Sequence, residues 1–577
     1  MHFVKKVPTS EEEKAIKKKE QEKKAKQFLH VRDVIVAKRQ KNEYDDEMLS
    51  LTQALLEKNC DIYTFWNIRR TAIELRIAEN QKTQADSEVS DEEKAKNSQK
   101  IENLLAGELF LSYECIKGNP KSYSAWYQRA WVLERQSAPD FKKELALCEK
   151  ALQLDCRNFH CWDHRRTVAR LAKRTEEEEL EFSNKLIDEN FSNYSAWHYR
   201  SIALKNIHKN ETTGSVRLED SLISEELKKV RNAFYMDAED QSAWTYTRWL
   251  LENGSGKEFL RPDSTTPVEL ITASFHGNNT TLVFSRAITL PKVLSFVDSN
   301  EQNGWRAFSS MSPNPTSSRV WQFLSDSPLQ IAAPESADST WQSITDKPFI
   351  NLERLRQIFD VQEVPEPAYI GELLEDCKQL MELEPNNKWP VYMRTLVLLE
   401  YRPISAHQEI VENLGKLAIS LDSKRAELYK SLISRQKLNF SIREQFERLI
   451  STDSDELVVR YSELTSMEGV EFLAGLVGSV DLSGNKLTDV HRIVLPNLQN
   501  LTVNECPIKS FSPSPALSNL KFLSIASTEI SDPSAIVPFL QTTPSLNRLV
   551  FCETELVEKT EELRSQLPGV RLIPHWL

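Results

Sequence analysis

The sequence predicts a multidomain chain. An α-α helical-hairpin solenoid carries an inserted all-β sandwich of Ig/C2-like kind and is followed by a C-terminal leucine-rich-repeat domain. Three observations predict this. A Trp–Arg motif recurs five times in the first 250 residues, a Ser/Thr/Pro-rich stretch with short β-branched runs follows, and a leucine template repeats four times near the end.

The five copies center on Trp66, Trp126, Trp162, Trp197 and Trp244, spaced 60, 36, 35 and 47 residues apart. Such a period is the length of a helix pair with its turns, so each hairpin buries its apolar face on the next. Four copies place an aromatic three residues before the Trp (Tyr63, Tyr123, Phe159, Tyr194), and every copy has an Arg three or four after it. That spacing predicts one shared helical face for aromatic, Trp and Arg. Ser122, Asn158, Asn193 and Asp240 stand four residues before their Trp and are good N-caps, which sets each Trp about one turn into a helix. Copy one has Ile62 there. The Trp is expected to fill the seam between hairpins, and the Arg to pair with a neighboring carboxylate or carbonyl.

Runs such as Val268–Phe275, Thr280–Ser285 and Val320–Leu324, parted by Gly277-Asn278-Asn279, suggest the inserted sandwich. Helical pattern resumes at about 351, with a degenerate motif at Trp389 and Arg394. The leucine template then starts at Val477, Leu498, Leu520 and Leu546, in steps of 21, 22 and 26 residues. Its turn position holds Asn485, Cys506, Thr528 and Thr554, the last two being weaker ladder residues. The expected organization is 1–30 charged N-terminal arm and first helix, 31–250 helical repeats, 251–350 sandwich, 351–450 resumed helices and 451–577 leucine-rich repeats.

Charged residues make up 27% and hydrophobic ones 40% of the 577, a soluble globular balance. A net charge of −12 argues against nucleic-acid binding, because phosphate neutralization needs a basic surface. With neither a signal-like apolar core nor a long apolar run, a cytoplasmic chain without direct membrane insertion is expected. Eight cysteines without CxxC pairs fit reduced thiols. The mixed-charge run 11–26 reads as a solvated helix.

Cys156, His160, Cys161 and His164 form a cluster that invites a metal reading. However, Cys161 fills the slot of Phe65 and Ala125, and His164 that of Ile68, Gln128, Tyr199 and Tyr246, so both are expected to pack. No phosphate loop, nucleophile elbow or HExxH motif occurs. The chain therefore builds no complete active site by itself.

The pattern Asn/Pro-x-x-Tyr-x-x-Trp-x-x-Arg resembles the repeat of protein prenyltransferase α subunits. Stretches such as Asn190–Arg200 and Asp240–Trp244, together with the order of domains, are similar over essentially the full length to the Rab (type II) geranylgeranyltransferase branch in animals. The resemblance implies an α subunit whose β-subunit partner supplies the isoprenoid pocket and most of the zinc site. The heterodimer would move geranylgeranyl from geranylgeranyl diphosphate to C-terminal cysteines of Rab GTPases brought by Rab escort protein, in vesicle trafficking.

It also implies site residues. Lys121 is expected to reach the leaving diphosphate, where a fixed cation stabilizes the charge that builds as the allylic C–O bond breaks. Tyr123, Asn158 and His160 are carried over onto the same ridge, and His2 as a removable zinc ligand on an N-terminal arm. Phe159 departs from the farnesyltransferase Tyr. Ser124 departs from a Gln that holds CaaX termini, which favors a substrate delivered by another protein. A CaaX-type α subunit and a non-enzymatic solenoid scaffold are the alternatives.

Overall fold

The computed structural model describes residues 11–210, 216–254, 268–276, 279–289, 293, 305–308, 317–324, 330–332, 341–343, 349–359, 361–363, 365–451, 454–490 and 493–575. The chain divides into two compact units, Met1–Val216 and Arg217–Leu577.

The elements described in the first unit are helices: α1 (Glu11–Gln40), α2 (Asp46–Leu56), α3 (Tyr63–Ala85), α4 (Asp91–Gly118), α5 (Tyr123–Leu133), α6 (Phe141–Leu154), α7 (Phe159–Leu171), α8 (Glu176–Glu189) and α9 (Tyr194–Ile207). The longer first step between tryptophans is taken up by α3 and α4, which run well past the length of their counterparts. Ser122, Asn158 and Asn193 cap α5, α7 and α9 through their side chains, whereas Ile62 makes no such bond.

Each Trp is buried, and its indole N–H donates to the carbonyl six residues upstream. Trp66 bonds Cys60, Trp126 bonds Pro120, Trp162 bonds Cys156 and Trp197 bonds Phe191, at 2.8, 2.8, 2.9 and 2.9 Å. The tryptophan thus fills the seam and also pins the turn that precedes its helix.

The motif aromatics depart from the expected shared face. Tyr63, Tyr123, Phe159 and Tyr194 are exposed while Trp and Arg are buried. They sit at the first helical position, where the side chain overhangs the helix end instead of entering the seam.

The second unit begins with α10 (Asp220–Met236) and α11 (Gln241–Glu252), the latter capped by Asp240. Arg231 of α10 bonds Asp376 and Glu372 of the helix Ala368–Leu383 at 2.6 and 2.9 Å. Helix packing therefore continues directly across the inserted strands. In the sixth copy the cap is Asn387, so the Trp slot falls on buried Val391, and Trp389 stands two residues early, half-exposed.

The insertion forms an antiparallel five-stranded sheet in the order β3-β4-β2-β1-β7, with a separate ribbon β5-β6. These strands are β1 (Leu270–His276), β2 (Asn279–Thr289), β3 (Trp305–Phe308), β4 (Ser317–Leu324), β5 (Gln330–Ala332), β6 (Trp341–Ser343) and β7 (Phe349–Ile350). One sheet face, with Leu270, Ala273, Leu282, Phe284 and Trp321, builds its own core. The other, with Ile271, Val283, Phe308 and Val320, joins the core of the C-terminal region. Polar bonds cross that seam: Thr272 Oγ1 donates to the Ala474 carbonyl at 3.3 Å and Gln322 Nε2 to Asn497 Oδ1 at 3.0 Å.

The C-terminal region is a parallel six-stranded stack: β8 (Glu456–Val458), β9 (Ser479–Asp481), β10 (Asn500–Thr502), β11 (Phe522–Ser524), β12 (Arg548–Val550) and β13 (Arg571–Ile573). The four sequence repeats supply β9 to β12. Leu457 and Leu572 add a strand at each end from partial templates that lack one half of the leucine pattern.

Ladder chemistry explains the unequal turn residues. Asn485 makes four backbone bonds, donating to Val459 and Leu482 and accepting from Ser462 and Leu464, so it joins two turns. Cys506 reaches the Leu482 carbonyl of the previous turn, whereas Thr528 and Thr554 bond only three residues back in their own turn. The residue just before each ladder position is left-handed: Tyr461, Gly484, Glu505, Ser527 and Glu553, with φ of 50, 71, 57, 54 and 57°.

At Gly484 the Tyr461 ring also occupies the place a Cβ would take. Gly484→Ala is expected to cost about 1–3 kcal/mol of stability, read as a lower thermal midpoint. Adding Tyr461→Ala should return part of that loss.

Candidate functional site

Four helical repeats each carry the same buried polar pair, a rung of a ladder repeated along the sequence. Glu108, Glu144, Glu179 and Glu226 each lie 20 residues before the position two after a motif Trp, and the side chain there bonds the carboxylate. The partners are Gln128, His164, Tyr199 and Tyr246, at 3.0, 2.8, 2.6 and 2.7 Å. His164 is thereby used inside the ladder, and Cys161 packs with its thiol 3.5 Å from the Cys148 carbonyl. The first and sixth copies replace the polar pair by buried apolar residues, Met48 with Ile68 and Leu373 with Met393.

In the first unit the motif Arg three after the Trp ties Glu108, Glu144 and Glu179 to the preceding hairpin. Arg129 donates to the Leu109 carbonyl of its own hairpin at 2.8 Å and reaches Glu144 of the next hairpin, with one contact at 2.7 Å. Arg165 holds Glu179 through two bonds of 3.0 Å, and Arg69 chelates Glu108. Position +4 is different: Arg248 stays on the surface with Glu252, and Thr247 fills the buried slot of copy five.

Burial pushes the Glu144 carboxyl up, but hydrogen bonds from His164 and Arg129 outweigh it and hold the group down to about 2. A folded value below the unfolded one contributes stability that is complete above about pH 4.5 and is lost as pH falls toward about 2. The thermal midpoint of the full chain should fall through this acid window. Glu144→Gln should lower the midpoint at neutral pH and flatten its decline in acid.

Two neighboring turns bring Lys121, Tyr123, Asn158 and His160 together. Lys121 precedes α5, in a turn where its N–H donates to Asn119 Oδ1 at 3.2 Å. The Pro120 carbonyl just before it accepts from Trp126 Nε1 at 2.8 Å and from Asn158 Nδ2 at 3.0 Å, so the turn is clamped from both sides. The Lys121 side chain is 71% exposed and its ammonium lies 3.8 Å from an oxygen of half-exposed Asp155, a contact of little energetic weight. An exposed cation thus stands on a turn held by two hydrogen bonds.

Asn158 is buried and its side chain is occupied: Oδ1 caps α7 by accepting from His160 and Cys161 N–H, and Nδ2 clamps Pro120. In this ridge it positions the Lys121 turn. Tyr123 is exposed and meets the His160 ring edge-on at 4.2 Å, with Phe159 4.0 Å from the same imidazole. Burial is the main reason His160 is held below the ordinary imidazole value. Asp163 opposes this and the Lys121 charge adds to it, and the net effect favors the neutral ring.

His2 lies outside the described residues. Among the described residues no group of three or more His, Cys, Asp or Glu side chains could hold a metal ion. No described helix is long and apolar enough to cross a membrane. The bridging glutamates and the Trp-to-carbonyl bonds were missed by motif reading. Their signal is the constant 20-residue offset and the constant turn length before each Trp.

Residues 105–136, 141–171, 176–207 and 223–254 match the protein prenyltransferase alpha subunit repeat. Each matched span holds one ladder glutamate and the Trp helix that bonds it. Geranylgeranyl transferase type-2 subunit alpha of Bos taurus is 31% identical over 603 aligned positions, covering 99% of this chain and 100% of that protein. The Homo sapiens protein of the same name is 32% identical, covering 99% of each. A solved chain of Candida albicans protein geranylgeranyltransferase-I complexed with GGPP aligns at 15% identity and TM-score 0.40, over 71% of this chain and 91% of that one. With identity above 30% spread over the whole length, and with four matched repeats that each carry the same buried glutamate pair, the chain belongs to the geranylgeranyl transferase type-2 alpha-subunit family.

Proposed function

We propose that the chain is the α subunit of a heterodimer that transfers geranylgeranyl from geranylgeranyl diphosphate to C-terminal cysteines of Rab GTPases presented by Rab escort protein. The observation that carries this reading is the full-length likeness to type-2 α subunits, strands and C-terminal stack included. The exposed aromatic row Tyr63, Tyr123, Phe159 and Tyr194 is the surface assigned to the β subunit. Lys121, beside that row, stabilizes the departing diphosphate. Tyr123 and His160 form its wall, and Asn158 fixes the turn. Zinc would be held mainly by the β subunit, with His2 as a removable ligand, and would supply the positive charge that favors a deprotonated acceptor cysteine. We read the inserted strands as an Ig/C2-like sandwich at 251–350 and the stack at 451–577 as leucine-rich repeats. Both are binding modules of a cytoplasmic enzyme.

The test is coexpression with a type-2 β subunit and assay of geranylgeranyl transfer to a Rab protein. Transfer that needs both subunits and the escort protein supports the reading. Unaided transfer to CaaX peptides points to the sister class, and failure to form a complex leaves a scaffold.

A further inference from the structure

One motif arginine leaves a donor unused, and it does so beside a groove. In four other copies the Nη1 of the motif arginine donates to the carbonyl 20 residues upstream, on its own hairpin. Arg69 reaches Leu49, Arg129 reaches Leu109 at 2.8 Å, Arg200 reaches Leu180 at 3.4 Å and Arg394 reaches Leu374 at 2.7 Å. Arg165 breaks the series. Its Nε and Nη2 hold Glu179, its Cζ lies 3.2 Å from the centroid of the Phe182 ring, and its Nη1 bonds no described group. Cys148 stands where Thr52, Ser112 and Ser183 offer other arginines of the series a hydroxyl. Arg165 is 3% exposed, so a nearly buried residue carries a donor that its own chain leaves without an acceptor.

Arg165 lines a groove of about 440 Å³ between α6 and α8, open to solvent. Leu145 and Ala146 of α6 and Phe182 of α8 give the groove apolar walls. Its ionic groups cancel. Arg165 and Arg174 are met by Glu178 and Glu179, Lys185 by Glu149, and Lys142 and Glu181 have opposite signs. We propose that this groove docks an extended peptide segment of a partner protein. A main-chain carbonyl of the segment accepts from Arg165 Nη1, and an apolar side chain lies against Leu145, Ala146 and Phe182.

Three features choose this occupant. The four other arginines all satisfy Nη1 with a main-chain carbonyl, so the same oxygen chemistry completes the set in copy three. A groove whose charges cancel gives no preference to an anion, and an uncharged amide carbonyl answers one N–H without burying a new charge. The volume takes one leucine-sized side chain with the peptide units beside it, and apolar walls around one fixed donor set its register. The site does not depend on the transfer reaction proposed above.

The experiment labels the Ala and Leu methyl groups of the full-length chain and follows Leu145 and Ala146 by NMR as N-acetylleucinamide is added. This probe carries amide carbonyls and one apolar side chain. The expected result is a saturable shift of both residues, weakened about tenfold in Arg165→Lys, which keeps a cation for Glu179 but loses Nη1. Ala146 is exposed, so Ala146→Trp should close the groove without touching the Glu179 cluster and abolish the shift. Sodium acetate at equal concentration should leave both residues unmoved. Absence of a saturable shift means that water alone serves Nη1, and it overturns the proposal. An equal response to acetate, or binding unaltered in Ala146→Trp, overturns it as well.

Discussion

Lys121→Ala should lower the rate of geranylgeranyl transfer by the assembled heterodimer by about 100-fold or more, with its thermal midpoint unchanged. Removing one preorganized donor from a developing anion typically costs about 10²–10³ in kcat. The side chain is 71% exposed and its Asp155 contact is long, so truncation removes little that holds the fold. The loss should appear in single-turnover rates more than in KM, because charge builds on the diphosphate only as the C–O bond breaks. Lys121→Arg should recover part of the rate.

Asn158→Ala separates position from charge. It removes the helix cap and one of the two donors on Pro120 while leaving the ammonium in place. Its rate loss should be smaller and come with about 1 kcal/mol of lost stability. A folded Lys121→Ala enzyme with an undiminished rate would remove Lys121 from the reaction.

Much of this architecture was legible because its local chemistry repeats. Ser122, Asn158, Asn193 and Asp240 announce helix starts through a bond each makes with its own backbone, so one sequence suffices to place them. The leucine template located β9 to β12 for the same reason, and Thr528 and Thr554 bond only within their own turn. What stayed hidden depends on partners distant in the chain. No local feature says that Glu144 will be buried between Arg129 and His164, since a glutamate in an amphipathic helix ordinarily faces water. The exposure of Tyr63 and Tyr123 was misread because helical spacing ignores the overhang at a first turn. Trp389 misled because the nearest Trp stood in for the position set by the cap, which is Val391. At the candidate site, spacing did not reveal the shared Pro120 carbonyl.

Arg129→Met should destabilize the first unit by roughly 3–5 kcal/mol. Glu144 is 3% exposed, and removing its guanidinium partner leaves a buried carboxylate with only His164 to answer it. The change also frees the Leu109 carbonyl and Ser112 hydroxyl that Arg129 serves, so it loosens its own hairpin together with the next. In a solenoid, stability resides in such neighbor interfaces, and a broken one divides the array.

The cost belongs to the uncompensated charge more than to lost attraction. Replacing a whole buried ionic set by apolar residues is often neutral. The first and sixth copies already do so at the Glu and Trp+2 positions, with Met48 and Ile68 in one and Leu373 and Met393 in the other. Arg129→Met combined with Glu144→Leu and His164→Met should therefore recover most of the loss in urea denaturation. If the single variant unfolds at the unaltered midpoint, the ladder does not hold the repeats together. If the triple variant is no better than the single, the interface depends on the specific polar geometry of Arg129 and its partners.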